Sequence, residues 1–278
     1  MMQRRTLKSA VSIAGRGIHS GIEGRVLVQP QPAGSGIRFQ RAGREPVAAS
    51  WQLADAKASD RRTVIIGPSG ERFEQIEHLM AAFAAMGISD ALVEQEGPEV
   101  PFLGGGSREY MEQLRAAGVA DLAEEIAPLE ITRPVSFRDG DALLTATPHN
   151  GLRLSCFVEF PGTVVGSDGF SLEITEESFF EQASRARTFA LARDLELLRQ
   201  AGLIKGGDLS NAVVFDAERY YNESLHYPNE VVRHKVIDLL GDLALLGLPL
   251  RGHFWAWRAG HRSHVLFAKF LAEEFLKP

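Results

Sequence analysis

Residues 230–247, EVVRHKVIDLLGDLALLG, have the composition of a buried helix, yet His234, Asp238 and Asp242 run through them at four-residue steps. A histidine and a carboxylate four apart lie about one turn from each other on the same helix face and can share one metal ion. That suits His234 and Asp238. Asp242 lies two turns beyond His234, about 12 Å of axial rise, too far for its short side chain to complete the same coordination sphere. Its expected place is behind the ligands, where a carboxylate orients a histidine or raises its basicity. Val232, Val236, Leu239, Leu243 and Leu246 form an apolar stripe roughly opposite, and Ile237, Leu240 and Ala244 widen it, so little of this helix is expected to meet bulk water. An ionised carboxylate in such surroundings needs a cationic partner, a hydrogen-bond donor or a metal.

His-x-x-x-Asp alone occurs often by chance, and a helix bearing His, Lys and Asp is commonly just partly solvated, so the metal reading requires a third ligand. The segment IEHL supplies the best candidate: Glu77 and His78 are adjacent on an otherwise apolar helix and point about 100° apart. If His78 takes the metal, Glu77 can stand beside it without coordinating, where a general base for a bound water belongs. Read in isolation, the same pair is a surface glutamate beside a histidine. His261, in RAGHRSH after an aromatic strand, occupies a turn suited to an acid or an oxyanion stabiliser. His149, His226, His253 and His264 offer no such spacing and are assigned to structure or surface.

The elements that must position these groups alternate in type. Short strand-like runs with Gly/Pro turns (GRVLVQPQPAGSGIRFQR, RRTVIIGPSGERF) precede the helix EQIEHLMAAFAAMG, with Gly87 at its C-terminal cap; a strand SDALVEQEG and a helix REYMEQLRAAG follow. The acidic, proline-containing stretch AEEIAPLEITRPVSF marks a boundary near residue 125. Beyond it the order recurs: strands to about residue 175, helical segments from Glu176 to Gly202, a strand NAVVFD, the helix of residues 230–247, a hairpin-like RGHFWAWRAGH, and a last helix. Two α+β halves of similar order, 1–125 and 126–278, suggest a duplication.

Bulk properties exclude several classes. With 278 residues, 45% hydrophobic and 24% charged, the chain is expected to be globular. A net charge of -6 with scattered Lys and Arg gives no footprint for duplex nucleic acid. The single cysteine, Cys156, excludes an internal disulfide framework and any Cys-rich zinc site, and its place on one face of LRLSCFVEF makes it a small core residue. No apolar run is long enough to span a membrane, and the basic start is interrupted by Lys8, Ser9 and Ser12; a cytoplasmic protein without stable membrane insertion is expected.

Taken together, GRGIHSG, IEHLMAAFAAMGISD, SRARTFA, NEVVRHKVIDLLGDL and WRAGH resemble, in order and spacing, the zinc-dependent UDP-3-O-acyl-N-acetylglucosamine deacetylase family of Gram-negative lipid A biosynthesis. The likeness covers nearly the whole chain. It implies that His78, His234 and Asp238 bind Zn2+ with a water as fourth ligand, a donor set that also suits Fe2+. It implies Glu77 as the base, His261 as cationic oxyanion partner or acid, and Asp242 as the group holding that ring. Thr188 would donate to the oxyanion; Phe189, Lys235 and Arg258 would help hold the sugar and the UDP, and His19 would line the pocket. The implied fold is α+β: two similar domains, each a sheet with paired helices, packed as a sheet/helices/sheet sandwich, with an insert around QAGLIKGGDLSNAVV forming the acyl passage. The implied partner is a small-molecule UDP-sugar lipid precursor, and a monomer is the default.

Two departures are visible. After PEVPFL the family pattern has an Asp-Gly-Ser turn, whereas this chain has Gly104, Gly105, Gly106 and Ser107, and NESLHYPNE is shorter than the usual acidic segment before the metal helix. Two alternatives stay open: a deacetylase of another acylated amino-sugar nucleotide, and a non-catalytic relative keeping fold and metal.

Overall fold

The structure, a computed structural model, describes residues 1–276. Two mixed sheets frame the molecule. The first has the strand order Val11–Arg16, Glu23–Pro30, Ala91–Glu96, Ile37–Gln40, Val47–Ala48, with Ile37–Gln40 parallel to Ala91–Glu96 and the other pairs antiparallel. The second runs Val135–Asp139, Ala142–Thr147, Leu250–Trp257, Leu152–Phe160, Gly166–Glu173, with Leu129–Glu130 beside the start of Leu250–Trp257. Period-two alternation sets which faces are buried: Leu154, Cys156 and Val158 point inward while Arg153, Phe157 and Glu159 point out. Burial pushes the Cys156 thiol up to about 12, so it stays a neutral core group.

Among the described residues six α-helices accompany the sheets: α1 (Glu77–Ala85), α2 (Arg108–Ala117), α3 (Glu176–Gln182), α4 (Leu195–Gln200), α5 (Glu230–Leu243) and α6 (His261–Phe275). The chain is α+β, with α2 against strand Val11–Arg16, α5 and α6 against the second sheet, and α1 between α2 and α5. Because α5 meets α1, α6 and the sheet on different sides, every one of its residues except Arg233 and Lys235 is buried. This is why its apolar surface runs most of the way round. Helix α1 ends as its sequence requires: Gly87 takes φ +66 and donates to the Ala84 carbonyl, while Ile88 donates to that of Phe83, the left-handed glycine cap.

One expectation is corrected and another is refined. RGHFWAWRAGH is not a hairpin: Leu250–Trp257 is one central strand, antiparallel to Ala142–Thr147 and parallel to Leu152–Phe160, and the glycine at its end turns the chain into α6. The helical segments expected over 176–202 are α3 and α4, and between them Thr188–Leu191 is a strand parallel to Ala212–Phe215. Thr188 and Phe189 thereby sit on a fixed edge.

The α1–α5 contact is closed at one glycine. A methyl group on Gly241 would overlap the Glu77 carbonyl oxygen, so the two backbones touch where the polar residues stand. Gly241→Ala is therefore expected to destabilise the fold by about 1–3 kcal/mol in urea denaturation, the scale of overpacking in a close-packed interior; an unchanged midpoint would contradict the backbone contact.

Candidate metal centre

His78 comes from the first turn of α1, and His234 and Asp238 from successive turns of α5. All three are buried, and their candidate ligand atoms lie within 4.8 Å of one another. His234 Nε2 stands 3.2 Å and His78 Nε2 3.8 Å from Asp238 Oδ1. The two rings meet edge-on with centroids 4.9 Å apart. Asp238 Oδ1 has no hydrogen-bond partner among the described residues although it is fully enclosed, and His234 Nδ1 faces the Ala186 carbonyl at 2.9 Å. A proton on Nδ1 leaves the Nε2 lone pair directed at the same point as that orphaned oxygen. Two imidazoles and a carboxylate converging without bonding each other fit a divalent cation with two nitrogen ligands and one oxygen ligand.

A second buried cluster, Asp242, His261 and His264, is equally compact but differs in kind. Both rings direct Nδ1 at Asp242 Oδ2, each at 2.8 Å, and the Thr63 hydroxyl donates to Oδ1. There the lone pairs are engaged in hydrogen bonds. His261 bridges the clusters: its Nε2 is 3.9 Å from Glu77 Oε1 and 3.8 Å from Asp238 Oδ2. Glu77 accepts from the Thr63 backbone N–H at 2.9 Å and from the Gln75 side-chain amide at 2.7 Å. Gln75 reaches it from a left-handed backbone turn, φ +64.

Burial and charge then set the protonation states. Burial raises the Glu77 carboxyl, only partly offset by His261 and His78. For Asp238 burial acts in the same sense, but Lys235, whose ammonium donates to Oδ2 at 2.7 Å, with His234 and His261, holds the carboxyl well below its usual range. Asp242 is lowered in spite of burial by His261 and His264. Burial opposes a charged His261, yet Asp242, Asp238 and Glu77 outweigh it and lift the ring to about 9. A glutamate that can take a proton thus faces a histidine that can give one.

Beside the candidate ligands opens a cavity of about 570 Å³ walled by Thr188 and Phe189, by Ile18 and His19, and by Leu198, Ile204 and Leu209 among others. Phe189 packs edge-on against His234, centroids 6.1 Å apart. Both His19 ring nitrogens lack hydrogen-bond partners among the described residues, and burial together with Arg62 lowers its pKa to about 4. A larger cavity, about 730 Å³, lies at the C-terminal end of α1 and α5 and contains none of these groups. Arg258 is not brought to the candidate ligands or the cavity wall: it stands exposed at the end of a strand, paired with Asp141 at 3.0 Å and near Glu159 at 3.8 Å.

Several positioning residues escaped the sequence reading. The Ser107 hydroxyl donates to the His78 carbonyl at 2.8 Å. The glycine run before it serves close approach, because a Cβ on Gly105 would overlap the Asn211 carbonyl, and the Gly105 carbonyl accepts from the Thr188 N–H at 3.0 Å. Arg187 is buried in a bidentate pair with Glu230, at 2.8 and 3.0 Å, tying the segment of Thr188 to the first turn of α5. Both residues lie inside quoted motifs, SRARTFA and NEVV, but 43 positions apart; only the fold pairs them. His264, assigned to structure or surface, is buried against Asp242.

A family model described as UDP-3-O-acyl N-acetylglycosamine deacetylase matches residues 4–273. The chain is 37% identical over 272 residues to the UDP-3-O-acyl-N-acetylglucosamine deacetylase of Myxococcus xanthus (strain DK1622), covering 97% of this chain and 87% of the relative. It is 36% identical over 277 residues to the protein of that name from Synechocystis sp., covering 97% and 99%. For the protein of that name from Acidithiobacillus ferrooxidans the identity is 38% over 266 residues, covering 94% and 87%.

Removing one member of a buried ion pair strands the other charge. Arg187→Met is therefore expected to cost about 3–5 kcal/mol in denaturant titration, and a loss under about 1 kcal/mol, the range of an exposed pair, would contradict the anchoring role.

Proposed function

The chain belongs to the UDP-3-O-acyl N-acetylglycosamine deacetylase family and is a hydrolase, and we propose that its substrate is a UDP-3-O-acyl-N-acetylglucosamine, from whose nitrogen it releases acetate in lipid A biosynthesis. The observation that carries this reading is the convergence of His78, His234 and Asp238 on one point, with Glu77 and His261 to either side. We propose Zn2+ as the ion, its site formed by those three residues; the donor set also suits Fe2+. When bound there, zinc supplies acidification of a coordinated water toward pKa ~7 and polarisation of the amide carbonyl.

The chain's own groups supply the rest. An amide resists attack, so its hydrolysis needs a proton acceptor for water, charge stabilisation at the carbonyl oxygen and a proton for the departing amine. Glu77, held at both oxygens by Thr63 and Gln75, takes the water's proton. His261, charged because Asp242 stands behind it, gives its Nε2 proton to the nitrogen leaving group or stabilises the oxyanion. Thr188 at the cavity wall donates to that oxyanion, while Phe189 and His19 bound the sugar's place. For Lys235 we propose contact with the substrate in addition to its bond to Asp238, and for Arg258 an outer contact with the UDP that exchanges for its carboxylate partners. The apolar wall of Leu198, Ile204 and Leu209 suits the acyl chain, with residues near 200–214 as its insert. The halves 1–125 and 126–278 as domains, a cytoplasmic location and a monomeric state complete the proposal; among the described residues no helix is long and apolar enough to cross a membrane.

Glu77→Gln is expected to keep full metal content by elemental analysis and to lose turnover of the UDP-sugar by at least about 10²-fold, the scale of a general base; near-normal turnover refutes the role. Chelation is expected to abolish activity and Zn2+ to restore it, whereas His78→Ala is expected to purify without stoichiometric metal. Full occupancy in that variant ends the ligand assignment.

A further inference from the structure

We propose that His264 is a positioning residue for the deacetylation, acting through Asp242 to fix the direction of His261; this rests on the reading of His261 as proton donor. Asp242 is fully buried, and its two oxygens are held by three donors. The Thr63 hydroxyl takes Oδ1, and the Nδ1 atoms of His261 and His264 share Oδ2 at 2.8 Å each. One donor of this set, His261, faces the reacting centre through its other nitrogen. The other ring turns away, and its Nε2 is buried with no partner, so the bond to Asp242 is its one hydrogen bond among the described residues.

The two rings lie one helical turn apart at the start of α6 and cross at 78°, with centroids 6.1 Å apart. They therefore approach Oδ2 from different directions. A carboxylate oxygen has two lone pairs, and with Thr63 on Oδ1 and His261 alone on Oδ2, the direction in which Oδ2 holds the catalytic ring would be set by a single bond. The second imidazole supplies another. It does so without adding a second cation: burial lowers its pKa although Asp242 works the other way, and a neutral ring with its proton on Nδ1 is the form that donates. One aspartate thus holds a charged histidine in front and a neutral one behind. An outer residue that fixes a functional histidine in this way typically matters by about 10- to 100-fold in activity.

The test compares His264→Leu, which fills the space without a donor, with His264→Asn, whose amide presents an N–H where Nδ1 stood. Turnover and KM for the UDP-sugar, metal per chain and thermal midpoint are measured for each, with His261→Ala alongside. Expected is a kcat loss of about 10- to 100-fold in His264→Leu with KM and metal content retained, and recovery of most of that loss in His264→Asn. Wild-type turnover in His264→Leu, or equal losses in Leu and Asn, overturns the proposal. If His264→Leu does not fold, His264→Gln replaces it: its amide sits one carbon further out, so turnover above that of His264→Asn overturns the proposal and turnover below it supports it. Normal turnover in His261→Ala removes the proton-donor reading and this inference with it, while a large loss there beside a normal His264→Leu removes this inference alone.

Discussion

Backbone contact between α1 and α5 is the constraint from which the rest follows. Glycine at 241 lets the two helices touch at the Glu77 carbonyl, and that approach brings an imidazole of one to the imidazole and carboxylate of the other. Ridge-into-groove packing at ordinary helix separations of about 8–10 Å keeps side chains between the axes; here the glycine removes one. Sheets on the outer sides and α6 at the flank then exclude water from the junction. Ionisable groups in that position must be answered by one another, because solvent does not reach them.

How they are answered divides the site into two compartments. Around Asp242 both oxygens are met by donors, three in all, and the carboxylate's charge is answered by His261. Around Asp238 one oxygen is matched by Lys235 while the other is orphaned opposite two ring nitrogens. The first arrangement orients; the second presents two ring nitrogens and a carboxylate oxygen to one point. His261 belongs to both, bonded behind to Asp242 and close in front to Glu77 and Asp238. The buried Arg187–Glu230 pair and the Ala186 carbonyl do for the cavity wall what Asp242 does for His261, so that His234, Thr188 and Phe189 are referred to one short segment.

What could be read beforehand was what periodicity encodes. His234 and Asp238 share a face because 3.6 residues make a turn, and Asp242 stands a further turn on; the structure places it in a separate cluster with His261 and His264. Strand alternation placed Cys156 in the core. The strand Leu250–Trp257 was misread as a hairpin because Gly252 and the terminal RAG look like turn signals, although the first lies within a strand at φ +158. Thr188–Leu191 was hidden between two helical patterns, being only four residues long. His264 has no i, i+4 partner on its own helix; its partner lies on α5, and no spacing rule crosses between helices. Gln75, Thr63 and Ser107 are uncharged and were invisible to a search for titratable groups, yet each bonds a member of the site or its backbone.

The most direct measurement of the central claim is anomalous diffraction at the zinc edge from crystals of the metal-loaded protein. The account predicts one strong peak between His78, His234 and Asp238, with nitrogen ligands at about 2.0–2.1 Å and no fourth side chain bound. A principal peak among Asp242, His261 and His264, or a fourth protein ligand closing the first site, would contradict it.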